Sequence, residues 1–426
     1  MRKEHNQFQN LDDFKQSFNK IKKNNHFNVE EIPFSEFDQW YFSNKDYLEH
    51  SSGKFFKIEG IRVKTNFGIL KQWDQPIINQ PEIGILGILT KIFNGIRYYL
   101  MQAKMEPGNV NILQLSPTTQ ATKSNFTQVH KGNLPAYLEY FIDRSKSKII
   151  IDQLQSEQGG RFLRKRNRNM IVEVKENIKV LDNFFWLTLS DIKELLYIDN
   201  FVNMDARSVI STIPIVENLD NGLYSKKYLM SWYIDQKVKY ELETEKISLS
   251  ELENWRIEKN SIYQDNKFFS IIGIKVEAGT REVTSWTQPM VKDLNIGLIG
   301  FIMKKINKNN HFLVQTKVMP GNIDIIDLSP TVSFSNYKYF VDKLKPRFFD
   351  YFIGTKMLKI HYDVLQSEEG GRFYHFQNRN MIVEIDENEK LDIPENYIWM
   401  TLNQMMELMP LGMFNIEARS LISTIK

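Results

Sequence analysis

Hydrophobic and polar residues alternate along the chain with the periods of short strands and short helices. A period near two predicts a strand, and a period near 3.6 predicts a helix. The predicted strands are Phe55–Val63, Ile96–Lys104, Lys148–Asp152 and Met170–Val174, and the predicted helices are Leu11–Phe18, Leu134–Phe141 and Leu189–Leu196. Gly60 is expected to break the first strand, and Ser190 is a candidate N-cap of the last helix. Because these elements do not alternate as βαβ units, they predict an α+β fold with mixed sheets.

The chain contains an internal duplication. Residues 155–174 and 366–385 are identical at 14 of 20 positions. The same correspondence joins Trp73 to Trp286, and Ala206-Arg207-Ser208 to Ala418-Arg419-Ser420. Chance does not produce agreement of this extent, so the sequence predicts two copies of one module.

The duplication divides the chain into four parts. The expected division is a polar leader at 1–30, a first copy at 31–214, a linker at 215–245 and a second copy at 246–426. Within the linker, Asn218-Leu219-Asp220-Asn221-Gly222 is a turn signal.

Composition excludes several classes of protein. The 426 residues include no cysteine, which excludes thiolate catalysis, disulfides and cysteine-bound metals. A net charge of +3 gives no reason to expect a nucleic-acid partner. No signal peptide and no membrane-spanning apolar run are found, so we expect a cytoplasmic protein that does not cross a membrane. Rossmann, P-loop and nucleophile-elbow motifs are absent, and the seven histidines lack metal-ligand spacing.

The groups left for catalysis are carboxylates, histidine and lysine, which transfer protons without a cofactor. Lys104 and Glu106 end a predicted strand. Pro107-Gly108-Asn109 follows, and Pro and Gly at the central positions predict a type II turn. The second copy has Met319 in place of Glu106. The Lys-Glu pair is therefore either an acid/base pair specific to the first copy or a surface ion pair at a turn.

Two other polar residues occur in the first copy alone. Asn295 replaces Glu82 and Tyr263 replaces His50 in the second copy. Residues kept by one copy are candidates for a specific function, although a lone histidine is more often a structural residue.

A basic run follows a Gly-Gly turn in the first copy and consists of Arg161, Arg164, Lys165, Arg166 and Arg168. Such side chains, together with exposed backbone N–H groups, can bind a diphosphate. The alternative is a solvated loop in which Arg168 pairs with a carboxylate. The second copy keeps the first and last of these arginines but not Lys165 or Arg166, which makes the latter two the better ligand candidates.

Several motifs of the first copy form a distinctive set: His50-Ser51-Ser52-Gly53-Lys54-Phe55-Phe56, Trp73-x-Gln75-Pro76, Gln80-Pro81-Glu82, Leu100–Asn109, Gln114–Thr122, Leu154–Glu157 and Asn203–Arg207. This set resembles the NDP-hexose 2,3-dehydratase family over nearly the whole chain. The resemblance implies a homodimer whose subunits each hold two tandem Nudix-like α/β/α modules. It also implies a dTDP-4-keto-6-deoxyhexose substrate, a role in 2-deoxysugar biosynthesis and a downstream 3-ketoreductase that acts on the product.

Two departures from the pattern qualify these implications. The acidic Nudix box is missing, so the resemblance implies metal-free chemistry, with no cofactor and no hydrolysis of the diphosphate. The second copy follows the family less closely and has Met319 where an acid is expected. Its module is therefore expected to hold a degenerate or accessory site.

The implied reaction starts with loss of the C3 proton, which the C4 ketone acidifies. Hydrogen-bond donors at O4 stabilise the enolate, the C2 hydroxyl leaves with help from an acid, and tautomerisation gives a 3,4-diketo-2,6-dideoxy sugar. Our hypothesis assigns Glu106 or His50 as base or acid, and Lys104 as a donor at O4. The residues expected to bind the nucleotide sugar are Trp73, Gln75, Gln80, Glu82, Gln102, Asn109, Gln114, Ser116, Thr118, Gln120, Ser156, Arg161, Lys165 and Arg166, the last three at the diphosphate.

Two other functions remain open at this point. A non-catalytic nucleotide-sugar-binding protein is compatible with the same fold. A Nudix-type hydrolase is disfavoured by the missing acidic box.

Overall fold

The computed structural model describes residues 10–44, 46–122, 134–215, 222–265, 269–279, 284–293, 295–334, 345–354 and 358–426. Over these ranges the chain is an α+β protein whose two halves follow the same order of elements. No helix of the described ranges is both long enough and apolar enough to cross a membrane. The turn signal predicted at 218–222 lies outside them, except for its last residue.

The first half begins with a helix and a strand in the leader. Its helices are α1 (Leu11–Asn24), α2 (Glu139–Ile142), α3 (Leu189–Leu195) and α4 (Met204–Ile210), with a 3₁₀ turn at Phe34–Glu36. Its strands are β1 (Phe27–Ile32), β2 (Trp40–Phe42), β3 (Leu48–His50), β4 (Lys57–Thr65), β5 (Gln72–Asn79), β6 (Gly84–Phe93), β7 (Ile96–Met105), β8 (Leu113–Ser116), β9 (Thr119–Ala121), β10 (Lys148–Ser156), β11 (Arg166–Glu173) and β12 (Phe184–Thr188).

The second half begins with a helix and a strand in the linker. Its helices are α5 (Lys226–Lys239), α6 (Leu402–Leu408) and α7 (Ile416–Ile422), with 3₁₀ turns at Leu249–Glu251, Phe349–Tyr351 and Met409–Leu411. Its strands are β13 (Leu242–Ile247), β14 (Trp255–Ile257), β15 (Ser261–Gln264), β16 (Ser270–Ala278), β17 (Ser285–Lys292), β18 (Gly297–Ile306), β19 (Asn309–Lys317), β20 (Asp327–Ser329), β21 (Val332–Phe334), β22 (Lys359–Ser367), β23 (Phe373–Tyr374), β24 (Gln377–Glu384) and β25 (Tyr397–Thr401).

Each half contains a seven-stranded mixed sheet. In the first half the order is β10-β11-β6-β7-β12, with β9 added to β6 and β8 added to β7. Only the β11–β6 pair is parallel among these described pairs. The second half repeats the arrangement as β22-β24-β18-β19, with β18 and β24 parallel. The mixed sheets predicted from the sequence are confirmed.

Helices cover both faces of the first seven-stranded sheet. Successive residues of a strand point to opposite faces. Leu86 and Ile88 of β6 share a buried cluster with residues of α4, whereas Ile85 and Leu89 share one with Phe141 of α2. The sheet is therefore the middle layer of an α/β/α arrangement.

Two smaller sheets exchange strands between the halves. β1 pairs with β16 of the second half, and β13 pairs with β4 of the first. At Gly60 this pairing is so close that an added Cβ would lie 2.8 Å from the carbonyl oxygen of Ser248. The predicted break at Gly60 is wrong, because β4 is continuous through it. Glycine is needed at position 60 because the neighbouring chain approaches closely there, and it does not end β4.

Helix ends are set by local capping. In α1, the Asn10 side chain accepts the N–H of Asp13 at 2.9 Å, and the helix is longer than predicted. In α3, Thr188 is the N-cap and forms a capping box with Asp191, so the predicted N-cap at Ser190 is wrong. The helix predicted at Leu134–Phe141 is confined to the short α2.

Two buried arginines join the halves. Nε of Arg207 in α4 donates to Oγ of Ser420 at 2.8 Å, and Nε of Arg419 in α7 donates to Oγ of Ser208 at 3.2 Å. The exposed fractions of the two arginines are 1% and 0%. Their remaining N–H groups donate largely to backbone carbonyls. Each buried arginine is held by polar groups of both halves, so the two arginines fix the halves to one another.

Candidate active site

The Pro-Gly turn after β7 contacts the Gly-Gly loop of the opposite half. The N–H of Asn109 donates to the carbonyl of Glu106 at 3.2 Å, so the predicted turn is present. It is not type II, because the φ of Gly108 is not positive. The N–H of Gly108 instead donates to the carbonyl of Gly370 at 2.8 Å. An added Cβ there would lie 1.7 Å from the carbonyl oxygen of Phe373, so glycine is required by the contact between the halves.

The same contact occurs in reverse between the turn of the second copy and the Gly-Gly loop of the first. The N–H of Gly321 donates to the carbonyl of Gly159 at 2.7 Å. An added Cβ at Gly321 would lie 1.8 Å from the carbonyl oxygen of Phe162. The two duplicated motifs therefore meet across the halves, and each half supplies residues to two related cavities.

The first cavity, of about 310 Å³, is lined by a chain of polar contacts from β7 to α4. Nζ of Lys104 lies 2.9 Å from Oε1 of Glu106 and also donates to Oε1 of Gln120. The Gln120 amide donates in turn to Asp205. Glu106 and Asp205 are buried, with exposed fractions of 5% and 4%. Two carboxyl groups and a lysine are thus held in one connected network.

A second wall of this cavity is formed by the loops after β5 and β10. Nδ2 of Asn167 donates to Oε1 of Glu157 at 2.7 Å. Nζ of Lys165 donates to the carbonyl of Glu82, whose side chain accepts from Gln80 at 2.9 Å. This wall therefore carries another buried carboxyl group and another lysine.

The second half completes the cavity. Nη2 of Arg372 donates to Oε1 of Gln80 at 3.3 Å. Nε2 of Gln288 donates to the carbonyl of Gly371 at 2.8 Å, and the indole of Trp286 donates to Gln288 at 2.9 Å. An arginine and an aromatic ring from the second copy thus face the carboxylates of the first.

Burial and mutual repulsion shift the titration of these groups. Burial, and then the charge of Asp205, raise the pKa of Glu157 to about 7. Burial, and then the charge of Glu106, raise the pKa of Asp205 to about 6. Burial raises the pKa of Glu369 to about 8 and lowers the pKa of the Lys165 ammonium. Three carboxyl groups therefore titrate near neutral pH, which equips the cavity to take up and release protons.

The fold brings together part of the predicted site. Six predicted residues line the first cavity: Gln80, Glu82, Lys104, Glu106, Gln120 and Lys165. Three others line the second cavity: Trp73, Gln75 and Arg161. The sequence therefore identified residues of both cavities and assigned them to one.

Five predicted residues make contacts inside the protein. Asn109 holds the turn after β7, Gln114 and Ser156 contact the opposite half, and Ser116 and Thr118 bind neighbouring groups of their own half. None of the five is among the residues that line either described cavity. Their predicted roles in ligand binding stay predictions.

His50 lies one layer behind the first cavity. Its Nδ1 is 2.9 Å from Oγ of Ser52, and its ring centroid is 4.5 Å from that of Phe55. Phe55 itself lines the cavity. Gln102, which is half-buried in β7, does not line it.

The residues of the basic run lie at different places in the fold. Lys165 faces the first cavity and Arg161 faces the second. Arg166 is exposed at the start of β11. Nε of Arg168 donates to Oδ1 of Asp152 at 2.6 Å, which is the carboxylate pairing that the alternative interpretation of this run predicts.

The first cavity also contains charged residues that the sequence did not identify as site residues: Glu157, Asp205, Glu369 and Arg372. Two of them, Glu157 and Asp205, lie within the motifs of the first copy. Gln158 occupies the position of Glu369 in the other copy, and the same kind of difference between copies had selected Glu106. The repeat alone does not indicate that loops of the second copy reach the first cavity.

The second cavity is larger, at about 1040 Å³, and is less acidic at the corresponding positions. Met319 stands where the first cavity has Glu106, and Ser333 stands where it has Gln120. Gln158 takes the place of Glu369 and donates to Oε2 of Glu368 at 2.6 Å. The lysine is retained as Lys317, whose Nζ donates to the carbonyl of Ser333 at 2.5 Å. The two cavities thus share a framework but differ in their proton-carrying groups.

Fold and site together define a duplicated α+β protein in which one cavity is equipped for acid/base chemistry on a bound substrate. The family model described as NDP-hexose 2,3-dehydratase matches residues 11–213 and 226–425. This chain belongs to the NDP-hexose 2,3-dehydratase family, as its motifs predicted.

The curated names of three relatives state a 2,3-dehydratase activity. Proteins named dTDP-4-dehydro-6-deoxy-alpha-D-glucopyranose 2,3-dehydratase are 42% identical in Saccharopolyspora spinosa and 40% identical in Amycolatopsis orientalis. The matches cover 94% of this chain and 88% and 87% of those proteins. A protein of the same name from Streptomyces violaceoruber is 38% identical, over 94% of this chain and 93% of its own.

Among solved structures, the C. elegans Ap4A hydrolase matches 31% of this chain and 95% of its own, with 12% identity and a TM-score of 0.19. A score this low supports no conclusion.

Proposed function

We propose that this chain is a nucleotide-sugar dehydratase, a carbon–oxygen lyase that acts on dTDP-4-keto-6-deoxyglucose in deoxysugar biosynthesis. Membership of the family and the names of the relatives support this substrate, since 4-dehydro and 4-keto describe the same sugar. Within the chain, the observation that carries the proposal is the network from Lys104 through Glu106 and Gln120 to Asp205.

The proposed reaction eliminates water across C2 and C3. A base removes the C3 proton, and the electron pair passes into an enolate at C4 that hydrogen-bond donors stabilise. The pair then forms the C2–C3 double bond as the C2–O bond breaks, and an acid protonates the departing hydroxyl to give water. Tautomerisation of the resulting enol gives the 3,4-diketo-2,6-dideoxy sugar.

Glu106 is the base in this proposal. Its carboxyl group is buried in the cavity wall beside the ammonium of Lys104, at 2.9 Å. Lys104 therefore stands close enough to the base to donate to O4 as negative charge develops there. His50 is the weaker of the two candidates, because Phe55 separates it from the cavity.

The diphosphate is proposed to lie between Lys165 and Arg372. Both cationic side chains line the first cavity. Arg161, the predicted diphosphate ligand, lines the second cavity, and Arg372 is its counterpart in the first. A guanidinium and an ammonium in one cavity suit the two phosphate groups of a dTDP-sugar.

The test is incubation with dTDP-4-keto-6-deoxyglucose and a 3-ketoreductase with NADPH, followed by mass spectrometry of the sugar. Wild type should release a C2-deoxygenated product. Glu106→Gln should lose turnover by about 10²–10⁴-fold yet still bind dTDP. Met319→Gln, at the matching position of the second cavity, is the control and should keep turnover. A wild type that binds the substrate without forming product would favour the non-catalytic nucleotide-sugar-binding alternative.

We also propose that each module is Nudix-like and that two chains form a homodimer. The α/β/α layering around a seven-stranded mixed sheet supports the first proposal. An experimental structure would test the module fold, and light scattering would test the dimer. A 3-ketoreductase is the proposed next enzyme, since the product carries a ketone at C3.

A further inference from the structure

We propose that Glu369, which the second half contributes to the first cavity, is the general acid that protonates the departing C2 hydroxyl. This inference rests on the proposed dehydration and assigns the second of its two proton-transfer groups.

The geometry places Glu369 in the same cavity as the proposed base, on a loop that contacts the turn beside Glu106. Its loop, between β22 and β23, is held by the hydrogen bond of 2.8 Å from Gly108 to the carbonyl of Gly370. An added Cβ at Gly370 would lie 2.8 Å from Cβ of Glu106. The two glutamates thus reach one cavity from two halves whose backbones touch beside it, as a base and an acid must when they act on adjacent carbon atoms.

Among the described residues of this cavity, the Glu369 carboxylate is the one that has no structural partner. It makes no hydrogen bond and no ion pair with any other residue in the described ranges. By contrast, Glu157 is bound by Asn167, Asp205 by Gln120 and Glu106 by Lys104. A carboxyl group placed in a cavity without a structural partner is available to a substrate.

Comparison of the two cavities indicates which residues serve the reaction and which serve the fold. The position of Glu369 is Gln158 in the second cavity, and the position of Glu106 is Met319. Both acids are therefore present in one cavity and both absent from the other. If the glutamate served the fold, the same loop in the other copy would need it as well, yet Gln158 is accommodated there by a hydrogen bond to Glu368.

The surroundings of Glu369 favour the protonated form of its carboxyl group. Burial raises the pKa of the Glu369 carboxyl group, Arg372 opposes the rise, and the charges of Asp205, Glu106 and Glu157 add to it. The raised pKa means that the Glu369 carboxyl group keeps its proton at neutral pH.

The step balances in atoms and charge. Glu106 takes the C3 proton, and Glu369 gives its proton to the hydroxyl as the C2–O bond breaks, so that water leaves. The enol hydroxyl at C3 then returns a proton to Glu369, and C2 takes up a proton as Glu106 releases the one it removed. Both glutamates end the cycle as they began, and no oxidant or reductant is needed.

The experiment compares two leaving groups in the same enzyme. Glu369→Gln should lower water elimination from dTDP-4-keto-6-deoxyglucose by about 10²–10⁴-fold. The C3 hydrogen should still exchange with D₂O, within threefold of wild type by NMR. With the 2-deoxy-2-fluoro analogue, fluoride leaves without a proton, so the variant should release fluoride within about tenfold of wild type. Glu387→Gln, at an exposed glutamate that does not line the cavity, is the matched control.

Three outcomes would overturn the assignment: near-normal water elimination, loss of C3 exchange in parallel with elimination, or no rescue by the fluoro sugar. If Glu369→Gln does not fold, Glu369→Asp serves instead, with the same ratio of fluoride to water release as the measurement. A wild type that releases neither water nor fluoride contradicts the proposed function itself, whereas an active wild type with an unrescued variant contradicts only the role of Glu369.

Discussion

The N–H of Gly108 donates to the carbonyl oxygen of Gly370 at 2.8 Å and so seats the turn after β7 of one half on the loop of the other. The reverse contact, from Gly321 to Gly159 at 2.7 Å, repeats it. Neither half completes a cavity alone, because the loop that carries Glu369 and Arg372 belongs to the half opposite Glu106.

Substitution of Gly108 should therefore damage both stability and activity. Ala at this position would place Cβ 1.7 Å from the carbonyl oxygen of Phe373, and backbone cannot yield as a flexible side chain does. We expect Gly108→Ala to lower the free energy of unfolding by about 3 kcal/mol or more, measured by urea denaturation. Gly279→Ala is the control, since its Cβ would meet Cβ of His26 at an ordinary 3.5 Å. Equal stability of the two variants would contradict this account of the contact.

The two lysines at equivalent positions should differ in importance. Lys104 is paired with Glu106 at 2.9 Å, whereas Lys317 donates to a backbone carbonyl beside Met319. We expect Lys104→Met to reduce turnover by about 10²-fold or more and Lys317→Met to leave it within threefold, in a steady-state assay of product formation. Comparable losses in both variants would indicate that the second cavity takes part in the reaction.

Much of the fold follows from local patterns, and the exceptions have identifiable causes. Periodicity predicted four strands, which correspond to β4, β7, β10 and β11. Identity revealed the duplication, and the motif set identifies the family. The type II turn was predicted from Pro107 and Gly108, yet glycine is kept there for the approach of Phe373. Gly60 is likewise kept for the approach of β13. A requirement imposed by a distant segment of chain has no local signature.

The candidate site was predictable to the extent that its residues belong to one copy. Lys104, Glu106 and Gln120 are close in sequence and meet in the first cavity. Glu369 and Arg372 lie more than half the chain away, and the repeat suggests that they serve their own copy. Only the crossed contacts of the two halves assign them to the first cavity and assign Arg161 to the second.

The dependence of the rate on pH should be bell-shaped. Burial and the charge of Glu106 raise the pKa of Asp205 to about 6, so the network that holds the proposed base becomes more negative as the pH rises through that region. Burial raises the pKa of Glu369 to about 8, so the acid is lost above it. We expect kcat/KM to be highest between these values, each limb reporting on the coupled cluster. With the fluoro sugar, which needs no acid, the alkaline limb should be absent from wild type and from Glu369→Gln alike. A profile that is flat from about pH 5 to about pH 9 would contradict this assignment of acid and base.

The contribution of Glu368, in the second cavity, to stability should fall as the pH rises, and it offers a measurement separate from activity. Burial raises the pKa of its carboxyl group from the ordinary 4.5 to about 7. The folded chain therefore holds this proton more tightly than the unfolded chain. The resulting stabilisation is fully present below about pH 4.5 and is lost as the pH rises to about 7, by at most about 1.4 kcal/mol per pH unit. Glu368→Gln cannot ionise, and Oε1 of Gln158, which has no hydrogen-bond partner among the described residues, can accept from the new amide. Urea denaturation at several pH values should show that the free energy of unfolding of the variant rises relative to that of wild type between about pH 4.5 and about pH 7. Parallel curves would mean that Glu368 titrates normally in the folded protein.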